Sequence, residues 1–128
     1  GAHYTPAALA TFVAEKVADA LHPLPSGERL RVLDPAVGDA SLLIALADVL
    51  TARGIEDPLL TGYDTSAFAL GTADRRLVAA RHARHTVLLE ADFLDLAAGL
   101  VDLQSGLFGD RRESLQPVDA VIANPPYV

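Results

Sequence analysis

Near the carboxyl end of the chain, Asn124-Pro125-Pro126-Tyr127 puts a side-chain amide, two rigid prolines and an aromatic ring directly after the apolar run Val118 to Ala123. That run reads as a buried strand, which sets the four residues at a strand's carboxyl end, where open α/β sheets bind their ligands. Asn-Pro and Pro-Pro are also common loop punctuation, so the tetrapeptide gains its meaning from what stands upstream.

Three acids occupy comparable places. Asp34 opens the turn Asp34-Pro35-Ala36-Val37-Gly38-Asp39-Ala40-Ser41 after a short apolar run. Gly38 stands at the entrance to a helix, where backbone N–H groups are exposed and a ligand can come close. The turn lacks the G-x-G-x-x-G spacing of dinucleotide binders and the G-x-x-x-x-G-K spacing of P-loops, so phosphate cradling is unsupported. Asp34 repels a phosphate and attracts an ammonium or sulfonium. Asp64 ends a second apolar run, 26 positions after Gly38, where an acid typically holds ribose hydroxyls. Asp92 ends a third, where its carboxylate can accept a bond from an adenine amino group while Phe93 packs on the ring. Any one of these acids, taken alone, reads first as a helix N-cap. Three on successive strand ends describe a cationic ligand that carries ribose and adenine.

Such residues need strands and helices in alternation, and the apolar periods supply them. From about Pro6 to Leu21 a helical stripe runs through Leu9, Phe12, Val13, Val17, Ala20 and Leu21, with Pro6 at a tolerated early position and Thr5 as N-cap. His22-Pro23 and Pro25-Ser26-Gly27 end it. Leu30 to Leu33 is a short strand that runs into the Asp34 turn, and an Ala- and Leu-rich helix follows to about Arg53, with Gly54 as its stop. Leu59 to Tyr63, then Asp64-Thr65-Ser66, then a helix to about Arg84 repeat the order, and a third strand covers Thr86 to Leu89. Asp95 to Pro117 is less regular, with one helical segment and a Gly106 to Arg112 loop before the fourth strand at Val118. Strands separated by helical lengths pair in parallel through right-handed crossovers, so the fold class is α/β, a doubly wound sheet.

Composition bounds the function. The 128 residues, 51% hydrophobic and 21% charged, suit one compact domain rather than two. A formal net charge of −7 argues against a broad phosphate-binding surface, since nonspecific grip on nucleic acid comes from clustered Lys and Arg. Without cysteine there is no disulfide framework and no thiolate metal site, which suits a reducing cytoplasm. No apolar run approaches the roughly 20 residues of a membrane-spanning helix. The Gly1-Ala2 start suggests a processed or excised chain. His82 and His85, three apart, lack a carboxylate or thiolate at matching spacing and read as a solvated helix end, so no metal is expected. Arg75, Arg76, Arg81 and Arg84 read as a solvated basic face rather than a DNA groove.

Taken in order, these motifs resemble the amino-group DNA methyltransferases that modify adenine at N6, especially those with an amino-terminal Tyr-Thr-Pro element, and the resemblance covers nearly the whole chain. His3-Tyr4-Thr5-Pro6 is similar to the element that contacts the methionine moiety of S-adenosylmethionine (AdoMet). The Asp34 to Ser41 turn, with Ala36 and Gly38, resembles the cofactor turn; Tyr63-Asp64 the ribose acid; Asp92-Phe93 the adenine-binding pair; Asn124-Pro125-Pro126-Tyr127 the catalytic loop. Two positions depart from the pattern: Val37 stands where the family usually has cysteine and Ala40 where it often has glycine. The implied fold is the Rossmann-like AdoMet-dependent methyltransferase fold, here about four parallel strands in the order 3-2-1-4 with flanking helices.

The resemblance also implies a mechanism. The Asn124 side-chain oxygen and the Pro125 carbonyl each accept one hydrogen of the target amine, Pro125 and Pro126 fix the backbone, and Tyr127 stacks on the flipped base. It implies AdoMet as cofactor, duplex DNA with a flipped adenine as partner, a restriction-modification setting in a bacterial or archaeal cytoplasm, and no membrane. A complete sheet of this family has further strands and a target-recognition domain, so the 128 residues are expected to be a partial catalytic domain that binds AdoMet weakly and transfers no methyl alone. The exposed edge of its last strand can pair with a second copy. Two other readings stand beside this one: a protein-glutamine or ribosomal-RNA methyltransferase, which shares Asn-Pro-Pro-Tyr but is disfavoured by Tyr-Thr-Pro and Asp-Pro-Ala, and a non-catalytic cofactor-binding or assembly module.

Overall fold

The computed structural model describes residues 5–25, 27–97 and 117–124. Helix α1 (Ala7–Ala20) precedes strand β1 (Arg31–Asp34); α2 (Ser41–Ala52), β2 (Leu59–Asp64), α3 (Ala67–Ala79), a 3-10 turn (Ala83–His85), β3 (Thr86–Glu90), a short α4 (Phe93–Ala97) and β4 (Ala120–Val121) follow. The strands form one parallel sheet in the order β3-β2-β1-β4. Asp34 pairs with Gly62 and Asp64 with Glu90, so all the strands open toward the same edge.

Strand β1 lies between β2 and β4 and buries Val32, Leu33 and Asp34. Helix α2, apolar on most of its surface, buries Leu42, Leu43, Leu46, Ala47 and Leu50 in the main core. Gly54 ends it as expected: at φ +84° its N–H bonds the Thr51 carbonyl and the Ile55 N–H bonds the Leu50 carbonyl, a Schellman closure.

The structure corrects three local expectations. In α1 the fully buried residues are Ala10, Ala14 and Ala18, spaced four apart, with Val13, Val17 and Leu21 flanking them, whereas Leu9 and Phe12 are exposed. Small side chains bring α1 close to α2, so the contact stripe is the one with the least bulk. Thr5 does not cap this helix. Pro6 holds the N-cap position without a side-chain bond, and the Thr5 hydroxyl is engaged elsewhere. Helix α3 stops at Ala79, short of Arg84, because Arg81 takes φ +65° and closes a second Schellman motif through Arg81 N–H to Val78 and His82 N–H to Leu77.

That early stop turns His82 and His85 inward, so neither is a solvated helix end. His82 is buried and donates from Nε2 to Asp48 at 2.7 Å, while the His85 ring is only 8% exposed. Nor do the arginines share one face. Arg76 pairs with Asp39 and Arg84 with Asp57.

Candidate functional site

Asp34 and Asp64 close β1 and β2, and Asp92 stands two residues past the end of β3, so all three lie at the carboxyl edge of the sheet. Each carboxylate is held by backbone N–H groups. Asp34 Oδ1 accepts from Ala36 at 3.0 Å, Asp64 Oδ2 from Gly38 at 3.0 Å and Oδ1 from Ser66 at 2.9 Å, and Asp92 Oδ1 from Leu94 at 2.9 Å. Asp64 thus ties the second strand to the turn after the first. The Val37 N–H reinforces the tie by bonding the Tyr63 carbonyl at 2.8 Å.

The turn itself carries two positive-φ residues, Gly38 at +54° and Ala40 at +68°. Glycine adopts this region freely; alanine does so only under constraint. Ala40 is wholly buried, and its carbonyl accepts the first bond of α2 from Ile44. Asp39 Oδ1 accepts from both the backbone N–H and the hydroxyl of Ser41, and Arg76 Nη1 reaches from α3 to the Asp39 carboxylate, its carbonyl and the Ser41 hydroxyl. Beneath the turn lies Gly62, where a Cβ would come within 2.8 Å of Val37 Cγ2. The glycine is what lets Val37 pack down on β2.

Asp34 differs from its neighbours. It is 1% exposed, and its Oδ2 is buried with no hydrogen-bond partner among the described residues. Burial pushes its carboxyl up to about 7; the Ala36 bond opposes this, and the Asp64 and Asp39 charges add to it. A buried carboxylate oxygen without a partner is an acceptor waiting for a cation or a donor. Close by, Phe93 meets Tyr63 with the ring planes tilted by 54° and the centroids 5.4 Å apart, so the aromatic neighbour of Asp92 rests on the end of β2.

Strand β4 brings the fourth element to the same edge. The Ile122 N–H bonds the Leu33 carbonyl, which carries Asn124 past the end of β1, one strand over from Asp34. Asn124 Nδ2 donates to Thr5 Oγ1 at 3.0 Å. Of the expected site residues, Thr5, Asp34, Ala36, Gly38, Asp64, Asp92, Phe93 and Asn124 lie at this edge; His3, Tyr4, Pro125, Pro126 and Tyr127 fall outside the described residues. Sequence reasoning passed over Gly62, named Ser41 only as the last residue of the turn, and read Arg76 as part of a solvated face. Gly62 carried a readable signal, a glycine inside a strand pattern, which marks a close backbone approach.

A parallel sheet in the order 3-2-1-4, with acids closing its strands, is a methyltransferase-type Rossmann-like α/β fold. The chain belongs to the N-6 DNA methylase family, whose model matches residues 1–128. It is 37% identical to the type II methyltransferase M.BanIII of Aneurinibacillus aneurinilyticus over 134 residues, an alignment that takes in 100% of this chain and 22% of that protein. Among solved structures, a protein assigned as a class I S-adenosylmethionine-dependent methyltransferase from Listeria monocytogenes is 27% identical, with a TM-score of 0.56 over 96% of this chain and 32% of that one. The methyltransferase subunit of a type I restriction-modification system from Streptococcus thermophilus shares the fold at a TM-score of 0.67 and 20% identity, over 99% of this chain and 24% of that one. The chain therefore spans about a fifth to a third of the length of these relatives.

Proposed function

We propose that this chain forms the cofactor edge and the start of the catalytic loop of an enzyme that methylates the exocyclic N6 amino group of adenine in DNA, using AdoMet, in a restriction-modification setting. The observation that carries the reading is the placement of Asn124 one strand away from Asp34, whose free carboxylate oxygen is buried at the same edge. An acceptor for an amine and an acceptor for a cation are thereby brought to neighbouring strand ends. Membership of the N-6 DNA methylase family and the likeness to M.BanIII support the same substrate.

The residues present fit AdoMet. Asp34 Oδ2 suits its positive methionine end, the spare lone pairs of Asp64 suit ribose hydroxyls, and Asp92 with Phe93 suits adenine. Ala36 and Gly38 supply backbone along the turn, and His3 and Tyr4 suit the methionine end, while Thr5, which follows them, bonds Asn124 instead. When bound, AdoMet supplies an activated methyl on a positively charged sulfur that departs as a neutral thioether. The chain's own work is to position and to accept. Asn124 Oδ1 and the Pro125 carbonyl each accept a hydrogen bond from the target amine, drawing the nitrogen lone pair out of the ring, Tyr127 stacks on the base, and the methylated nitrogen then gives up one proton to water. Among the described residues no group of three or more His, Cys, Asp or Glu is placed to hold a metal ion. Nor is any described helix long and apolar enough to cross a membrane.

The experiment is product analysis. The enzyme that carries this chain is incubated with AdoMet and unmethylated duplex DNA, and the nucleosides are resolved by mass spectrometry. N6-methyladenine is expected, and the 128-residue chain alone is expected to bind AdoMet in calorimetry without transferring methyl. Methylated protein glutamine or ribosomal RNA with unmodified DNA would overturn the adenine assignment, and the absence of any binding heat at millimolar AdoMet would favour an assembly module.

A further inference from the structure

An asparagine side chain has two ends of nearly equal shape and opposite chemistry, an oxygen that only accepts and an NH2 that only donates. An amine that must give up its hydrogens is served by the oxygen alone. If the Asn124 amide turns by half a rotation, it presents N–H to N–H and the contact is lost. Something must therefore fix which end faces the edge of the sheet, and the bond between Asn124 Nδ2 and Thr5 Oγ1, at 3.0 Å, does so.

From this bond we infer that Thr5 is a positioning residue for Asn124: its hydroxyl oxygen claims the amide N–H and leaves Asn124 Oδ1 free to accept. The inference rests on the amine-methylating role proposed above. Thr5 is well placed to hold a partner still. It is only 7% exposed, and it directly precedes α1, which is locked in the core through Ala10, Ala14 and Ala18. The two residues are 119 positions apart, so the contact fastens the first helix to the end of β4. Direction matters. Were the Thr5 hydroxyl to donate to Asn124 Oδ1 instead, the oxygen would face Thr5 and the NH2 end would face the amine.

The chain contains a single asparagine, so labelling with 15N-asparagine gives one side-chain NH2 signal pair, which reports on this bond without any cofactor or substrate. The expected result is slow solvent exchange for one of the two protons. Thr5→Val, which keeps the shape and removes the hydroxyl, should abolish that protection, and Thr5→Ser should restore it. Unprotected protons in the wild-type chain, or protection unchanged in Thr5→Val, would overturn the inference.

A second readout comes from the enzyme that carries the chain. In single turnover at saturating AdoMet, Thr5→Val should slow methyl transfer on the order of 100-fold, the scale of a misplacement of about 1 Å, while the AdoMet Kd stays within about twofold and Thr5→Ser recovers most of the rate. A raised AdoMet Kd with an unchanged saturated rate would make Thr5 a cofactor contact and sink the positioning role. A wild-type enzyme that forms no N6-methyladenine, with the NH2 signals behaving as expected, would instead bring down the proposed function and leave only a structural bond.

Discussion

The two edges of the sheet handle charge in opposite ways. At the amino edge, before β1, β2 and β3, carboxylates meet arginine and histidine side chains. Asp57 Oδ1 takes Arg84 at 2.7 Å and lies 3.6 Å from His85 Nδ1, the Asp57 carbonyl takes Arg29, and Asp48 takes His82. Around these groups lies an open cleft of about 440 Å³ lined by Arg29, Glu56, Asp57, Arg84 and His85. At the carboxyl edge Asp34, Asp64 and Asp92 are held by backbone N–H groups instead, and Arg76, which does reach that edge, is spent on Asp39 and Ser41. Backbone N–H groups orient a carboxylate without cancelling its charge, whereas an arginine cancels it. One edge pairs its carboxylates from within; the other leaves Asp34, Asp64 and Asp92 without a cationic side chain, open to something positive that arrives from outside.

The strongest way to break this contrast is at Asp34. Its folded-state value of about 7 lies above the ordinary 3.8, so between these values the folded chain holds a proton that the unfolded chain has released. Its contribution to stability is therefore complete below 3.8 and is lost as the pH rises through 7, by roughly 4 kcal/mol at the most. Asp34→Asn keeps an acceptor for the Ala36 N–H and removes the charge. In urea unfolding without cofactor the variant should match the wild type near pH 4 and exceed it by a few kcal/mol near pH 8. Its affinity for AdoMet should fall about 10- to 100-fold. Equal stability of the two proteins at pH 8 would mean that the carboxyl edge is as well compensated as the amino edge.

Gly62 tests whether the carboxyl edge is held rigidly enough to keep that charge in place. A Cβ there meets Val37 Cγ2 at 2.8 Å, Val37 Cβ at 2.9 Å and Leu88 Cδ2 at 3.0 Å, so Gly62→Ala must displace the turn or the strand beside it. A loss of about 1–3 kcal/mol is expected, with weaker AdoMet binding, and Val37→Ala in the same chain should recover part of both. Thermal denaturation and calorimetry measure the two effects. A neutral Gly62→Ala would show a turn that yields, and preorganisation would have to be dropped from the account of this edge.

The same contrast decides what could be read from the sequence. Strand ends were legible because a short apolar run followed by an acid carries its own boundary: Asp34 and Asp64 close β1 and β2 where that pattern set them, β3 closes at Glu90 with Asp92 two residues on, and the strand order agrees. Gly54 announced the end of α2 through its conformational freedom. The end of α3 carried no such sign, because Arg81 holds a positive φ that its side chain does not advertise; with that stop missed, His82 and His85 were left on a helix surface instead of under it. In α1 bulky residues outweighed alanines in the hydrophobic pattern, although close helix packing favours the alanines. The bond between Thr5 and Asn124 lay beyond local reading altogether, since only the folded sheet brings residues 119 positions apart together.

The smallest expected effect lies at the amino edge and has the opposite sign to that of Asp34. Burial holds His85 below the ordinary histidine value, with His82 pushing the same way, Asp57 pulling back, and Arg84 and Arg29 adding to the depression. Both ring nitrogens are buried without a hydrogen bond among the described residues, so the neutral ring is the one that the folded chain accommodates. Because the folded value lies below the unfolded one, the unfolded chain takes up the proton first as the pH falls, and this contribution to stability is present above the ordinary value of 6.5 and lost below it. His85→Leu should therefore narrow the gap in unfolding free energy between pH 7.5 and pH 5.5 and leave AdoMet affinity untouched, since the edge proposed to hold the cofactor is at the other end of the strands. If His85→Leu changed AdoMet binding as much as Gly62→Ala did, the two edges would be coupled through the sheet, and treating them as separate charge systems would fail.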